Sequence, residues 1–457
     1  MKTKVTAIFD IGRTNKKFFL FDPNLQEVHR EYTRFDEIED EDGYPTENLK
    51  ALEKWAKEVF DKVLDSDEYE IEKLNFSCYG ASLVHIDEKS KVVAPLYNYM
   101  KPLAEDVYNS FYDKYGPENI ISKDTGSPKL GMLNSGMQLY WLKTTQPEVF
   151  KKIKYSLHLP QYLSYLFTGI PVSEYTSIGC HTMLWDFDKA DYHEWVYKEG
   201  IETKLPPITS TSQTKPINYQ GKTIHMGAGI HDSSSALLPY IRSMSKPFVL
   251  VSTGTWSISI NPFNKEILSV DDLKNDGLFN MRVDGSRVKV SRLFLGNEYK
   301  LQVKSLSKHF NLPEAYHKQV KFDSKIFSGI RKDFVRMFKW ISMTFEDMAS
   351  ETQIPYDNFE KAYHQLMLEL VLLQVKSIKA AVGKGEIENL YVDGGFTDNE
   401  VYLQLLSLYL SDMKLSTTDS SLGSALGAAI VISDVTLDSK FLKKNYSLKK
   451  HIPLTSK

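Results

Sequence analysis

The chain has 457 residues, 42% hydrophobic and 25% charged, with a formal net charge of −3. That length predicts two or three domains, and the near-neutral balance gives no general attraction to nucleic acid or an anionic membrane. The cysteines Cys78 and Cys180 are too few for a disulfide scaffold or a four-cysteine zinc site and point to a reducing, cytoplasmic setting, while no apolar run reaches the length of a membrane span.

Residues 5–9 and 17–21 read as strands, with 28–35 as a third. The turn between the first two carries Asp10, Gly12, Arg13, Thr14, Asn15, Lys16 and Lys17. Glycine permits close backbone approach, Thr14 and Asn15 supply neutral polar groups, and a lysine supplies a point charge. Asp10 can hold Mg²⁺ directly or through its waters. This is a hairpin tip suited to a metal-bound phosphate, although an ordinary hairpin with polar turn residues is written with the same letters. Apolar residues at helical spacing (Leu49, Leu52, Trp55, Ala56, Val59, Phe60, Val63) predict an amphipathic helix over 47–64. Residues 71–78 then read as a strand entering Tyr79-Gly80-Ala81, with 83–86 and 91–94 as two more.

From residue 128 the character changes. Residues 138–142 and 159–167 suggest short helices closed by Gly169, and the polar run 209–215 marks a loop. The stretch Gly227-Ala228-Gly229-Ile230-His231-Asp232 delivers an adjacent His-Asp pair into a small-residue helix start, where Asp232 also reads as a plain N-cap. A second unit begins near Pro247. Strand 248–252, turn Thr253-Gly254-Thr255 and strand 256–260 repeat the opening design, offering two hydroxyls and a glycine N–H to a phosphate. Residues 281–283 and 287–291 continue the meander, 325–354 reads as a helical insertion, and 359–382 as a long helix. Strand 390–392 ends in Asp393-Gly394-Gly395 immediately before a helix, which predicts N-terminal N–H groups there. Asp398 is read as that helix's cap, and 400–410 and 422–432 as the closing helices. The lysine-rich stretch 440–457 reads as a solvated tail or final helix.

The order of these motifs resembles the FGGY carbohydrate kinases of the actin-like ATPase superfamily. The likeness covers roughly residues 5–432 and rests on the Asp10 to Lys17 turn, His231-Asp232, Ser252-Thr253-Gly254-Thr255-Trp256, and Asp393-Gly394-Gly395 with Asn399 and Gln404. The His231-Asp232 pair and the stretch 78–99 look most like the L-rhamnulose and L-fuculose kinase branches. The resemblance implies an α/β fold of two ribonuclease-H-like domains, 1–244 and 245–435, with a ligand cleft between them; residues 436–457, beyond the likeness, are read from their lysines as a basic tail. It implies transfer of the ATP γ-phosphate to a sugar hydroxyl with Mg²⁺, by a monomer or homodimer whose partners are sugar and ATP rather than nucleic acid or membrane. Arg13 stands where the family usually has a small residue, Tyr79 where relatives often carry Trp or His, and Leu422 at an often acidic position.

Phosphoryl transfer is mostly positioning and charge neutralisation, and a sugar hydroxyl needs a carboxylate to take its proton. Asp232 is the expected general base and Asp10 the expected metal residue. Gly12, Thr14, Asn15, Lys17, Thr253, Gly254 and Thr255 are expected around the phosphates, with Gly394, Gly395 and Asn399 bordering the nucleotide. Gly80, Ala81 and His231 are expected at the sugar, with Asn98 and Tyr99 as weaker candidates. The alternative is a kinase-like sensor or scaffold that binds ATP and sugar without transferring phosphate.

Overall fold

Two sheets of like winding form the structure, a computed structural model that describes residues 2–345, 348–419 and 422–452. In the first unit β1 (Thr3–Ile11), β2 (Lys16–Phe21) and β3 (Glu27–Thr33) make an antiparallel meander. The helix α1 (Leu49–Leu64) is capped by Asn48 and buries Leu52, Ala56, Val59, Phe60 and Val63, the stripe its periodicity predicts. It leads to β4 (Tyr69–Cys78), parallel to β1 with Ile11 opposite Cys78. A long excursion containing α2 (Ser135–Thr145) and α3 (Leu159–Thr168) precedes β5 (Thr214–Tyr219) and β6 (Lys222–Gly227). The sheet order is β5-β6-β4-β1-β2-β3. A short strand, β7 (Ile230–His231), pairs with the end of β4 and runs directly into α4 (Asp232–Ser243).

The second unit repeats the plan. Its strands are β8 (Phe248–Thr253), β9 (Ser257–Asn261), β10 (Gly277–Met281) and β11 (Arg287–Leu293). After α5 (Leu295–His309) and the long α6 (Phe359–Val382) come β12 (Asn389–Gly394), α7 (Glu400–Tyr409), β13 (Lys414–Thr418), α8 (Gly423–Val431) and β14 (Lys449–Lys450). The order β10-β11-β9-β8-β12-β13-β14 contains, as β11-β9-β8-β12-β13, the counterpart of β3-β2-β1-β4-β6. The central β8 is parallel to β12 and buried along most of its length, which explains why it reads as an unbroken apolar run. Among the described residues no helix is long and apolar enough to cross a membrane.

The units meet at α4 and α8. Gly427 of α8 lies so close to the Ser235 carbonyl of α4 that an added Cβ would overlap it, and Ser235 Oγ donates to the Ser424 carbonyl at 2.6 Å. From β4, Asn75 Nδ2 donates to the Ala428 carbonyl (2.9 Å) and Lys73 Nζ to that of Ile432 (2.8 Å). One apolar cluster runs from Ile8 and Phe19 in the first sheet to Leu250 and Ile260 in the second. A separate contact joins β10 to the first unit: the Phe279 N–H donates to the Gly126 carbonyl at 2.8 Å, and Phe279 and Met281 pack with Ile178, Trp185 and Phe187.

Some local expectations are corrected. Residues 91–94 form only a bridge between Val92 and Ile86. The Asp87 carboxylate takes the N–H groups of Lys89 and Lys91 and closes a turn there instead. The segment 325–354 is helical only at its start, over Ser324–Lys332. Beyond that, the N–H groups of Met337 and Phe338 go to the Glu369 carboxylate, and those of Ile341 and Ser342 to Glu298. Side-chain acceptors on α5 and α6 thus replace the helical ladder; Glu346 and Asp347 of this segment lie outside the described residues. At the lysine-rich end, the helix Phe441–Asn445 buries Phe441 and Leu442 and β14 pairs with β13. Residues 453–457 lie outside the described residues.

Candidate active site

Asp10 and Lys17 are cross-strand partners near the β1–β2 turn. Side chains of a strand alternate between faces, so Asp10 and Lys17 share one face and Lys16 takes the other. Lys17 Nζ lies 3.4 Å from Asp10 Oδ2. Lys16 is buried instead, paired with Glu47 at 2.8 Å and donating to the Arg13 carbonyl at 2.7 Å, a strut beneath the turn. The Gly12 N–H donates to the Asn15 carbonyl (3.0 Å) and closes it. Thr14 is exposed, and Asn15 Oδ1 accepts from Arg34 (2.7 Å). Arg13 folds away from the tip to Glu37 (2.5 Å) and to Asn98 Oδ1, its guanidinium 5.2 Å from the centre of the Tyr99 ring.

Asp10 is buried, and Ser424 Oγ of α8 donates to its Oδ1 at 2.8 Å. The residue at the carboxyl end of β1 therefore faces the start of the second unit's last long helix. Burial raises the Asp10 pKa; Lys17 and Ser424 oppose this, and the negative charge of Asp232 adds to it. The two carboxylates named from sequence are thus electrostatic neighbours.

His231 sits opposite Cys78 at the end of β4, and α4 begins at Asp232. Asp232 is therefore not the helix cap: His231 holds that position, and Asp232 is the first helical residue, one third exposed. Its Oδ1 accepts from the Ser233 N–H (2.6 Å) and Ser233 Oγ (3.2 Å) and lies 3.2 Å from His231 Nε2. The His231 ring is buried, with Nε2 also 3.2 Å from Cys180 Sγ and Nδ1 3.4 Å from Ser234 Oγ. A Cβ added at Gly80 would stand 2.6 Å from Cys180 Sγ and 3.2 Å from the His231 ring. The next residue, Ala81, has φ +64 and accepts at its carbonyl from Gln138 Nε2 (2.7 Å).

In the second unit the turns after β8 and β12 are tied together. Thr253 Oγ1 donates to the Asp393 carbonyl (2.5 Å) and accepts the Phe396 N–H (3.1 Å), while the Gly395 N–H donates to the Thr253 carbonyl (2.8 Å). Gly394 has φ +89, and a Cβ there would overlap the Thr253 carbonyl, so the double glycine allows a left-handed turn at close approach. This corrects the expected helix start: residues 396–399 intervene before α7, and the Gly395 and Phe396 N–H groups are spent on Thr253. The cap of α7 is Asn399, not Asp398; its Oδ1 accepts the Tyr402 N–H and its amide donates to the Tyr363 hydroxyl at 2.9 Å. The Gly254 N–H closes its own turn on the Trp256 carbonyl (2.8 Å), and Thr255 accepts at its carbonyl from the Asn297 N–H (3.1 Å). Between the carboxyl ends of β12 and β13 opens a cavity of about 480 Å³, lined by Asp393, Gly394, Thr397, Asp398, Thr418 and Lys449 among others.

Sequence reasoning missed several supports. Glu174 is fully buried and gathers Thr176, Ser177 and Thr211, and Thr176 Oγ1 in turn accepts the His231 N–H at 3.0 Å. Gly296 makes room for the Gly254 carbonyl. Ser424 and Cys180 touch the two named residues, Asp10 and His231, from a distance in sequence that no motif spans.

Comparison with known proteins matches residues 5–236 to the FGGY family of carbohydrate kinases, N-terminal domain, and residues 245–440 to the carbohydrate kinase FGGY C-terminal domain. A rhamnulokinase of Yersinia pestis (strain Pestoides F) is 23% identical over 470 residues, spanning 96% of this chain and 93% of that protein. A rhamnulokinase of Halalkalibacterium halodurans is 24% identical over 258 residues, spanning 54% of this chain and 52% of its own length. Among solved structures, a carbohydrate kinase from Novosphingobium aromaticivorans superposes with a TM-score of 0.81 at 21% identity, over 100% of this chain and 96% of that one. Ligand-bound xylulose kinase from Lactobacillus acidophilus gives 0.77 at 14% identity, over 99% and 94%. With both halves matched and the paired sheets in place, the chain belongs to the FGGY family of carbohydrate kinases.

Proposed function

We propose that this protein transfers the γ-phosphate of ATP to a hydroxyl of a ketose, with L-rhamnulose or L-fuculose as the favoured class. The observation that carries the reading is that Asp10 and Asp232 stand at the carboxyl ends of β1 and β7, the two strands that flank the end of β4, with Asp10 opposite Ser77 and His231 opposite Cys78. The Asp232 Oδ1 contacts described above leave Oδ2 as the atom that takes the acceptor's proton as the new P–O bond forms. Lys17 and the exposed Thr14 are the groups of the first turn open to phosphate oxygens, and Gly254 and Thr255 are the exposed positions of the second. The Gly12 and Gly254 N–H groups are bonded within their own turns and Thr253 Oγ1 to the turn after β12, so these groups shape the turns. The cavity lined by Gly394, Thr397 and Asp398 is of a size to hold part of a nucleotide; Gly395 and Asn399 support that wall through Thr253 and the start of α7. Gly80, Ala81 and His231 border the sugar.

Among the described residues no group of three or more His, Cys, Asp or Glu side chains is poised to hold a metal. A divalent ion here would complete its shell with water and phosphate oxygens, which suits Mg²⁺, and the buried Asp10 carboxylate, steadied by Ser424, offers the hard oxygen it prefers. Such an ion would neutralise charge on the β- and γ-phosphates. The favoured sugars rest on the motif resemblance and on the rhamnulokinases among the relatives; hydroxyl-by-hydroxyl discrimination depends on individual hydrogen bonds.

Coupled ADP release measured with L-rhamnulose, L-fuculose, D-xylulose, L-ribulose and glycerol tests the reading. Sugar-dependent release with a 6-deoxyketose supports it. Binding of ATP and sugar without release would turn the protein into a sensor or scaffold.

A further inference from the structure

We propose that Cys180 and His181 are positioning residues that set the tautomer of His231 and thereby orient Asp232; this rests on Asp232 as the base. A backbone carbonyl can only accept. His181 Nδ1 lies 3.2 Å from the Leu133 carbonyl, so Nδ1 carries the ring proton. Burial lowers the His181 pKa to about 3 and that of His231 below its ordinary value, so both rings are neutral and each carries one N–H. His181 Nε2 is then a bare acceptor, and Cys180 Sγ stands 3.3 Å from it. Burial pushes the Cys180 thiol well up, so the sulfur keeps its single proton and gives it to His181.

The sulfur is left with lone pairs toward His231 Nε2, and Asp232 Oδ1 stands at the same 3.2 Å from that nitrogen. Two acceptors meet at Nε2, which must hold the proton. The chain of donation therefore runs from His231 through Cys180 and His181 to Leu133, and the positive end of the same N–H dipole stands beside Asp232 Oδ1 as an electrostatic contact.

The relay decides between real alternatives. Ser234 Oγ gives its proton to the Met281 carbonyl at 3.0 Å and is free to accept, so an Nδ1–H tautomer of His231 has a partner waiting. That tautomer would turn a lone pair on Nε2 toward the carboxylate and repel it. Two further features hold the relay in place. His181 sits at φ +41, a left-handed backbone that carries a steric cost, and Asn134 Nδ2 clamps its carbonyl at 2.7 Å. Gly80 lacks the Cβ that would press on Cys180 Sγ.

The test combines ¹⁵N-histidine NMR with kinetics on the full chain, with ring signals assigned by single His→Gln variants. The wild type is expected to show His181 protonated at Nδ1 and His231 at Nε2. Cys180→Ala is expected to populate the His231 Nδ1–H form and lower kcat about tenfold with the KM for ATP unchanged, a fraction of the ~10²–10⁴ that a general base contributes. Cys180→Ser, which can donate and accept in the same places, is expected to restore both readouts. A wild-type His231 protonated at Nδ1 overturns the proposal without any variant having to fold, and so does Cys180→Ala with full kcat. Normal turnover in Asp232→Asn beside the expected tautomers would instead remove Asp232 from the base role.

Discussion

At the scale of single residues, Asp232→Asn is the most informative change. The amide has the shape of the carboxylate and can still accept at Oδ1 from Ser233, but it cannot take a proton from a hydroxyl. Asp232 is one third exposed at the head of α4, and the retained Oδ1 still faces the buried His231 ring, so folding is expected to be intact. Turnover is expected to fall at least ~10²-fold with ATP affinity retained, read by coupled ADP release beside nucleotide titration. Activity near wild type would place the base elsewhere. Position 16 shows how far residue letters carry. Adjacent lysines look interchangeable in the sequence, but strand alternation sends Lys17 toward Asp10 and Lys16 into the ion pair with Glu47. The letters alone leave the two lysines open, because the register of the hairpin that pairs Asp10 with Lys17 is set by the turn. Nothing local marks Cys180, Ser424 or Glu174, because their importance lies in contacts with residues far away along the chain.

Elements were legible where one periodicity ran unbroken. The stripe of α1 and the apolar run of β8 each bury one kind of surface, while α6 is legible by its length and apolar spacing although it buries His364, Gln365, Glu369 and Gln374 as well. The segment after Ser324–Lys332 was not legible, since its backbone is held by Glu298 and Glu369, acceptors on α5 and α6 that no local pattern announces. A related device ties helix ends in the excursion of the first unit. Glu199 is nearly buried and takes Lys114 at 2.6 Å, with Lys143 and the Tyr115 hydroxyl on the same carboxylate. These partners lower its pKa from its ordinary 4.5 to about 2. Because the folded value lies below the unfolded one, the stabilisation is complete above about pH 4.5 and is lost as pH falls toward 2. Glu199→Gln is expected to lower the melting temperature at pH 7 and to shrink the difference between variant and wild type as pH drops through that window, followed by circular dichroism. An unchanging difference across it would mean the charge contributes nothing.

For the whole molecule, the contacts between units are of unlike character. The α4–α8 contact is close-packed around Gly427 and stitched by Asn75 and Ser235, so sliding there would drive backbone into backbone. The β10 contact is mainly one of side chains, Phe279 and Met281 against Ile178, Trp185 and Phe187 and close over Gly126 and Gly179, with a backbone hydrogen bond at Gly126 and the Met281 carbonyl accepting from Ser234 Oγ. Rotation about the first contact, with the second opening and closing, is the motion this asymmetry allows. Closure around bound sugar would keep water from the phosphoryl group. Small-angle X-ray scattering is expected to show a smaller radius of gyration with sugar and a non-hydrolysable ATP analogue than without them. Phe279→Ala removes the apolar half of the second contact and leaves Asp10 and Asp232 untouched. It is expected to raise the sugar KM several-fold and to increase ATP hydrolysis without sugar, while kcat at saturation changes little, because binding must then supply the closure that the ring provides. If the variant matched wild type in both sugar KM and idle hydrolysis, the β10 contact would be a fixed seam and the cleft would have to work without closing.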